Sequence, residues 1–252
     1  MKYIVLIGDG MSDYPVEDRG GRTPLQLSST LCMDLLAQKG MLGLVRTIPE
    51  GMDPGSDVAN LSVMGYSPAE FYSGRAPIEA ASIGVELSER DVAFRCNLVT
   101  LGEKDGALYM DDYSAGHIPT DEAAVIVNAL KVKFDSEDIT FYPGVSYRHL
   151  MVWKEGEGGM KTTPPHDITG REVDEFFPRG QGSSTILELM ERSRDVLSSL
   201  EINRAKVRRG AKPANAIWLW GQGRALKIPR FSEKYGLSGS VISAVEDRKS
   251  VV

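Results

Sequence analysis

Residues 3–10, YIVLIGDG, form a continuous apolar run that breaks at Gly-Asp-Gly. An apolar run without polar alternation is the pattern of a strand buried on both faces, so it predicts a parallel strand that delivers Asp9 to the carboxyl edge of a sheet. Thr23-Pro24 opens a segment with apolar residues at Leu25, Leu27, Leu31, Leu35 and Leu36, and Gly40 closes it. This predicts one Pro-started, Gly-stopped helix. GLVRTIP (43–49) reads as the next strand, the stretch from Ser56 as a helix, and DVAFRCNLVTL (91–101) as a third strand. Strand, helix, strand, helix, strand in that order predicts an open α/β sheet, in which ligands gather at the carboxyl ends of strands.

From about Tyr109 the pattern changes. Residues 110–134 read as a loop followed by a helix capped at Thr120, and ITFYPGVSYRHLMVW (139–153) as two strands around a Pro-Gly turn. EGEGGMKTTPPHDITGR (155–171) is loop, and STILELMERSRDVLSSL (184–200) is an amphipathic helix with Ile186, Leu187, Leu189, Met190 and Leu197 on its apolar face. NAIWLWGQGR (215–224) returns to an apolar run breaking at glycine. The expected organisation is a core over 1–108, an inserted α+β domain over 109–212, and a return to the core over 213–252.

Composition narrows the function. The 252 residues are 42% hydrophobic and 25% charged with a formal net charge of −6, ordinary for a globular protein and repulsive toward nucleic acid and anionic membrane. Neither is therefore expected as a partner; a small anionic ligand in a local basic pocket is. No apolar run is long enough to span a bilayer, and a cytoplasmic location is expected. Cys32 and Cys96 form no CxxC and are expected to be buried thiols.

Ser56, in DPGSDVANLSVMGY (53–66), has two readings. It can be an ordinary helix N-cap, or its hydroxyl can attack phosphorus at a helix N-terminus, with a metal lowering its pKa. Asp9 is then a candidate ligand of that metal, or simply an Asx turn capping a strand. The G-x-S-x-G elbow and the P-loop are both absent, which removes the usual support for acyl transfer and P-loop chemistry. Of the three histidines, His117 and His166 lie in loops and suit anion binding, whereas His149 alternates with apolar residues on a strand. Arg148 and Arg224 are anion candidates through their bidentate guanidinium groups, and Arg75 belongs to the same class with less support. NRAKVRR (203–209) is expected to be a solvated helix face or linker.

Taken in order, IGDGMSDYP, DPGSDVANLSVMGY, YSGRAPIEAASIGVEL, DYSAGHI, GVSYRHL, PHDITGR and NAIWLWGQGR resemble the archaeal-type cofactor-independent phosphoglycerate mutases of the alkaline phosphatase superfamily. The resemblance implies an alkaline-phosphatase-like α/β sheet with helices on both faces and an inserted smaller domain. It implies interconversion of 2-phosphoglycerate and 3-phosphoglycerate through a phosphoserine, at a site of two divalent metal ions (Mn, Mg, Co or Zn) and without bisphosphoglycerate. By similarity Asp9 is a metal ligand, Ser56 both nucleophile and ligand, and His117, Arg148, Asp167 and Arg224 bind the substrate. The superfamily takes most of its metal ligands from later strands, yet this sequence has no histidine after His166, so an inactive fragment is expected. Another phosphotransferase or phosphatase of the superfamily is the alternative. Residues 247–252, DRKSVV, read residue for residue as the translation of a common sequencing-library adapter and are expected to be non-native.

Overall fold

The computed structural model describes residues 2–8, 10–52 and 54–242, so that Asp9 and the 247–252 tail lie outside the described residues. The chain divides into two units, Met1–Arg46 and Thr47–Val252.

The first unit holds a 3-10 turn (Glu17–Arg19) and two helices, α1 (Pro24–Leu27) and α2 (Leu31–Lys39). The single helix expected from Pro24 to Gly40 is broken at Ser28–Thr30. Ser28 is extended, and both its N–H and its hydroxyl return to the Pro24 carbonyl; Thr30 donates to Asp34. These short polar side chains compete for the backbone groups a continuous helix would use. Thr23 and Gln26 form a capping box at the start of α1. The two predicted strands, 3–8 and 43–49, are not strands here. A strand exists only within a ladder, and neither run pairs with a described residue; Ile4 is 91% and Leu44 105% exposed. No described residue of this unit is buried, and Cys32, expected inside, is exposed.

The second unit runs α3 (Ser56–Val63), α4 (Pro68–Phe71), α5 (Arg75–Ser82), β1 (Val92–Lys104), β2 (Ala107–Asp112), α6 (Thr120–Phe134), β3 (Ile139–Val145) and β4 (Arg148–Trp153). It continues through α7 (Ser183–Ser199), α8 (Glu201–Arg208), β5 (Ala216–Arg224) and α9 (Phe231–Tyr235). β1 is the hub. Its first half lies between β4 and β5 and its end pairs with β2, while β3 extends the sheet beyond β4. Every one of these pairings is antiparallel; the α/β class expected from the element order holds, while the parallel pairing read for residues 3–10 has no counterpart among these strands. The sheet takes β1 from before residue 109 and β5 from after 212, so these two strands and the segment between them share one sheet.

Side-chain alternation along β1 sorts the two faces. Phe94, Cys96 and Leu98 pack in one core with Ile126 and Leu130 of α6, Ile186 and Met190 of α7, and Leu219 of β5. Burial there pushes the Cys96 thiol up, which makes it inert packing. Ala93, with Leu150 and Val152 of β4, meets Ala76 and Ala80 of α5 on the opposite face. Helices therefore cover both faces.

Two local readings shift. The Pro143–Gly144 pair sits in a register irregularity of β3, and the turn falls at Ser146, whose φ is 55°. Thr120 is the first helical residue of α6 and accepts from the Ser146 N–H, so it ties that turn to the helix rather than capping it. In α8, expected to be solvated, Asn203 and Lys206 are buried. Asn203 donates to the carbonyls of Leu197 and Ala214, and Lys206 pairs with Glu122 of α6 at 2.9 Å.

Candidate active site

The site begins at α3. Its N-cap is Gly55; Ser56 is the first helical residue, and no side chain caps the helix. The N-cap reading of Ser56 is thereby removed, leaving an exposed hydroxyl in the first turn, where free N–H groups favour an anion. The next side chain, Asp57, accepts a short hydrogen bond from the Tyr72 hydroxyl. Burial, with the Asp57 carboxylate beside it, pushes the Tyr72 phenol up, while Arg75 and Arg95 act on it in the opposite sense.

Three residues after Tyr72, Arg75 opens α5. The connection is fixed by close backbone approach: a Cβ on Gly74 (φ +146°) would lie 2.0 Å from the Gln222 carbonyl, and one on Gly223 2.4 Å from that of Ser73. This seats the start of α5 on β5, beside Trp220. Antiparallel register places Trp220 opposite Arg95 and Trp218 opposite Asn97. The Arg95 guanidinium lies 4.4 Å over the Trp220 ring and pairs with Glu79 at 2.9 Å, and that of Arg75 is 6.0 Å from the same ring. Trp220 Nε1 donates to Asn97 Oδ1, whose amide donates to the Tyr113 carbonyl.

From Trp220 a line of edge-on aromatic contacts extends outward. His166 meets Trp220 at 5.4 Å and Tyr113 at 6.0 Å, Tyr113 meets Tyr147 at 5.6 Å, and Tyr147 meets His117 at 6.3 Å. Arg148 lies 5.9 Å over Tyr147. Burial lowers the pKa of His166; Asp167, 3.6 Å away, raises it, and Arg75 and Arg95 lower it further. The shift favours the neutral imidazole.

His117 stands on a strained loop. Ala115, Gly116 and His117 have successive φ values of 49°, 71° and 51°. Asp112 holds this conformation by accepting from the Ser114 N–H and hydroxyl, and the Ser114 hydroxyl accepts from the His117 N–H. Burial alone would raise the Asp112 pKa, but those bonds, with Lys212 and the Gly116 N–H, hold it below the ordinary value.

Of the residues singled out in the sequence, His117, Arg148, Asp167, His166 and Arg75 fall on this cluster, and Ser56 joins it through Asp57 and Tyr72. Arg224 lies elsewhere: its guanidinium donates to the carbonyls of Arg90 and Gly156. His149 is a core residue opposite Cys96. Sequence reasoning missed Arg95, whose signal was a charge inside the apolar run DVAFRCNLVTL. It also missed Trp220 and Tyr72, which carry no signal of their own. Among the described residues no three His, Cys, Asp or Glu side chains converge to hold a metal ion. The described residues thus do not make up a two-metal centre, and no chemical step is derived through one. No described helix is long and apolar enough to cross a membrane.

The fold is shared with solved proteins. A protein of Pyrococcus horikoshii matches 96% of this chain, and 57% of its own, at TM-score 0.70 and 27% identity. A cofactor-independent phosphoglycerate mutase of Thermoplasma acidophilum matches 96% of this chain, and 64% of its own, at TM-score 0.54 and 26% identity. The family model for 2,3-bisphosphoglycerate-independent phosphoglycerate mutase matches residues 37–203, and the chain belongs to that family. It is 54% identical over 246 residues to a probable 2,3-bisphosphoglycerate-independent phosphoglycerate mutase of Geobacter sulfurreducens, covering 98% of this chain and 62% of the relative. It is also 54% identical to the mutase of Methanothrix thermoacetophila, covering 98% of this chain and 61% of that relative. The chain thus spans about three-fifths of the length of these relatives.

Proposed function

We propose that the protein, at the length of its relatives, interconverts 2-phosphoglycerate and 3-phosphoglycerate, with Ser56 as phosphoryl acceptor. The Ser56 oxygen forms the new bond to phosphorus as the bond to the glycerate oxygen breaks; the phosphoryl group then returns to the other glycerate hydroxyl, regenerating serine. Retention of glycerate between the two steps separates a mutase from a phosphatase. Arg148 and His117, with Arg75, Arg95 and His166 beside them, are suited to that retention because they gather cationic and neutral donors around a partly buried aromatic floor, while the Asp167 carboxylate is suited to accept from a glycerate hydroxyl. Arg224 is proposed to support this region through its backbone contacts. Two divalent metal ions, with Asp9 and Ser56 as ligands, belong to the same proposal, their remaining donors coming from outside the described residues.

The observation that carries the reading is the exposed Ser56 hydroxyl, which caps nothing and stands in the first turn of a helix linked to the arginine cluster. Ser56→Ala in the chain extended to the length of its relatives should lower kcat by at least ~10³-fold. With no capping bond to lose, its stability should change by less than about 0.5 kcal/mol. Near-wild-type interconversion of the two phosphoglycerates by that variant would show the assignment to be wrong.

A further inference from the structure

Tyr72 has an unusual position between the two halves of the site. Its hydroxyl reaches back fifteen residues to Asp57 Oδ2. The Asp57 carboxylate also lies across the N-cap, where a Cβ on Gly55 would lie 2.4 Å from Asp57 Oδ1. On its C-terminal side Tyr72 is joined to β5, since the Ser73 hydroxyl donates to the Arg224 carbonyl at 2.7 Å and Gly74 packs against Gln222. Tyr72 is therefore fixed to the strand that carries Trp220, while its hydroxyl is fixed to the turn that carries Ser56.

The chemistry gives this link a purpose. A carboxylate one residue from a serine that must meet a phosphate is repulsive unless its position is controlled. The Tyr72 hydroxyl occupies one of its oxygens. We propose that Tyr72 is a positioning residue: acting through Asp57, it sets the first turn of α3, and with it the Ser56 hydroxyl, relative to the Arg75–Arg95–Trp220 cluster. The inference rests on Ser56 being the phosphoryl acceptor. A displacement of about 1 Å at a reacting atom can cost roughly 10²-fold in rate without loss of binding, so the effect belongs in kcat rather than KM.

The test is a double-mutant cycle in the chain extended to the length of its relatives, with Ser56→Ala as control. Tyr72→Phe removes only the hydroxyl and should lower kcat by about 10- to 100-fold, with KM changed less than about threefold. On an Asp57→Ala background the same change should cost no more than about twofold. A wild-type kcat for Tyr72→Phe, or an equal loss with and without Asp57, overturns the inference. Should Tyr72→Phe fail to fold, the Asp57 variants decide: Asp57→Asn keeps an acceptor and should retain at least about fivefold more kcat than Asp57→Ala. Equal kcat for the two overturns the proposal. An active Ser56→Ala control overturns the serine reading and this inference with it, whereas an inactive control beside a fully active Tyr72→Phe overturns the inference alone.

Discussion

His149 is the one buried histidine of the three, and its environment makes it an acid-sensitive point of the core. Its Nδ1 accepts from the Gly144 N–H at 2.9 Å, so the neutral ring carries its proton on Nε2. Burial lowers its pKa from 6.5 to about 4. Because the folded value lies below the unfolded one, the stabilisation is complete above pH 6.5 and is lost as pH falls toward 4. Between pH 7 and pH 4.5 the loss should be about 2 kcal/mol, read from urea midpoints at the two pH values. His149→Gln keeps an acceptor for Gly144 but cannot be protonated, so it should show a correspondingly smaller drop. An identical drop in the two proteins would place the acid sensitivity elsewhere. Asp112 acts in a lower window: its depressed pKa supplies stability above the ordinary carboxylate range that disappears as pH falls through the folded value. Asp112→Ala should loosen the left-handed run at Ala115–His117, raising amide exchange there while β1 stays protected; unchanged exchange across 113–117 would show that the carboxylate does not hold the loop.

At the scale of elements, the join between α5 and β5 is the most demanding piece of backbone in the site. Gly74→Ala would place a Cβ on a carbonyl at a φ few other residues adopt, so it should cost several kcal/mol, on the order of 3, or prevent folding. Chemical denaturation measures this, and a variant as stable as wild type would mean that the join is softer than it looks. Several elements were legible in the sequence for reasons of periodicity: β1 and β5 as long apolar runs, α7 by its apolar stripe, and α3 beginning at Ser56. Others were not. Residues 3–8 and 43–49 have the composition of buried strands, but composition cannot supply the neighbouring strand a ladder requires. The assembled site was also out of reach, although His117, Arg148, Asp167, His166 and Arg75 were marked beforehand. Tyr72, Arg95, His166 and Trp220 are far apart in sequence, and the antiparallel register of β1 with β5 is what gathers them. A pattern read as parallel could not predict that register.

For the molecule as a whole, the distribution of apolar surface is uneven. The second unit buries a continuous core beneath its sheet, while Tyr3, Ile4, Val5 and Leu6 and the run Met41, Leu42, Leu44 and Val45 stand in solvent, each more than two-thirds exposed. Consecutive apolar side chains exposed in this way attract partners or aggregate. The same chain spans 62% of its Geobacter relative, and its described residues offer no cluster of metal donors. Both observations lead to one expectation about the 252 residues taken alone. Supplied with manganese, magnesium, cobalt or zinc, the purified chain should show no phosphoglycerate mutase turnover above a Ser56→Ala control, because no described cluster of metal donors can activate the serine. The chain extended to the length of its relatives should turn over, and should bind less of a hydrophobic dye such as anilinonaphthalene sulfonate. The near-ultraviolet dichroism of Trp218 and Trp220, buried in the core, separates a failure of chemistry from a failure of folding, since it should be retained in both chains. Turnover by the 252-residue chain above its control would show that the metal donors are already present within it.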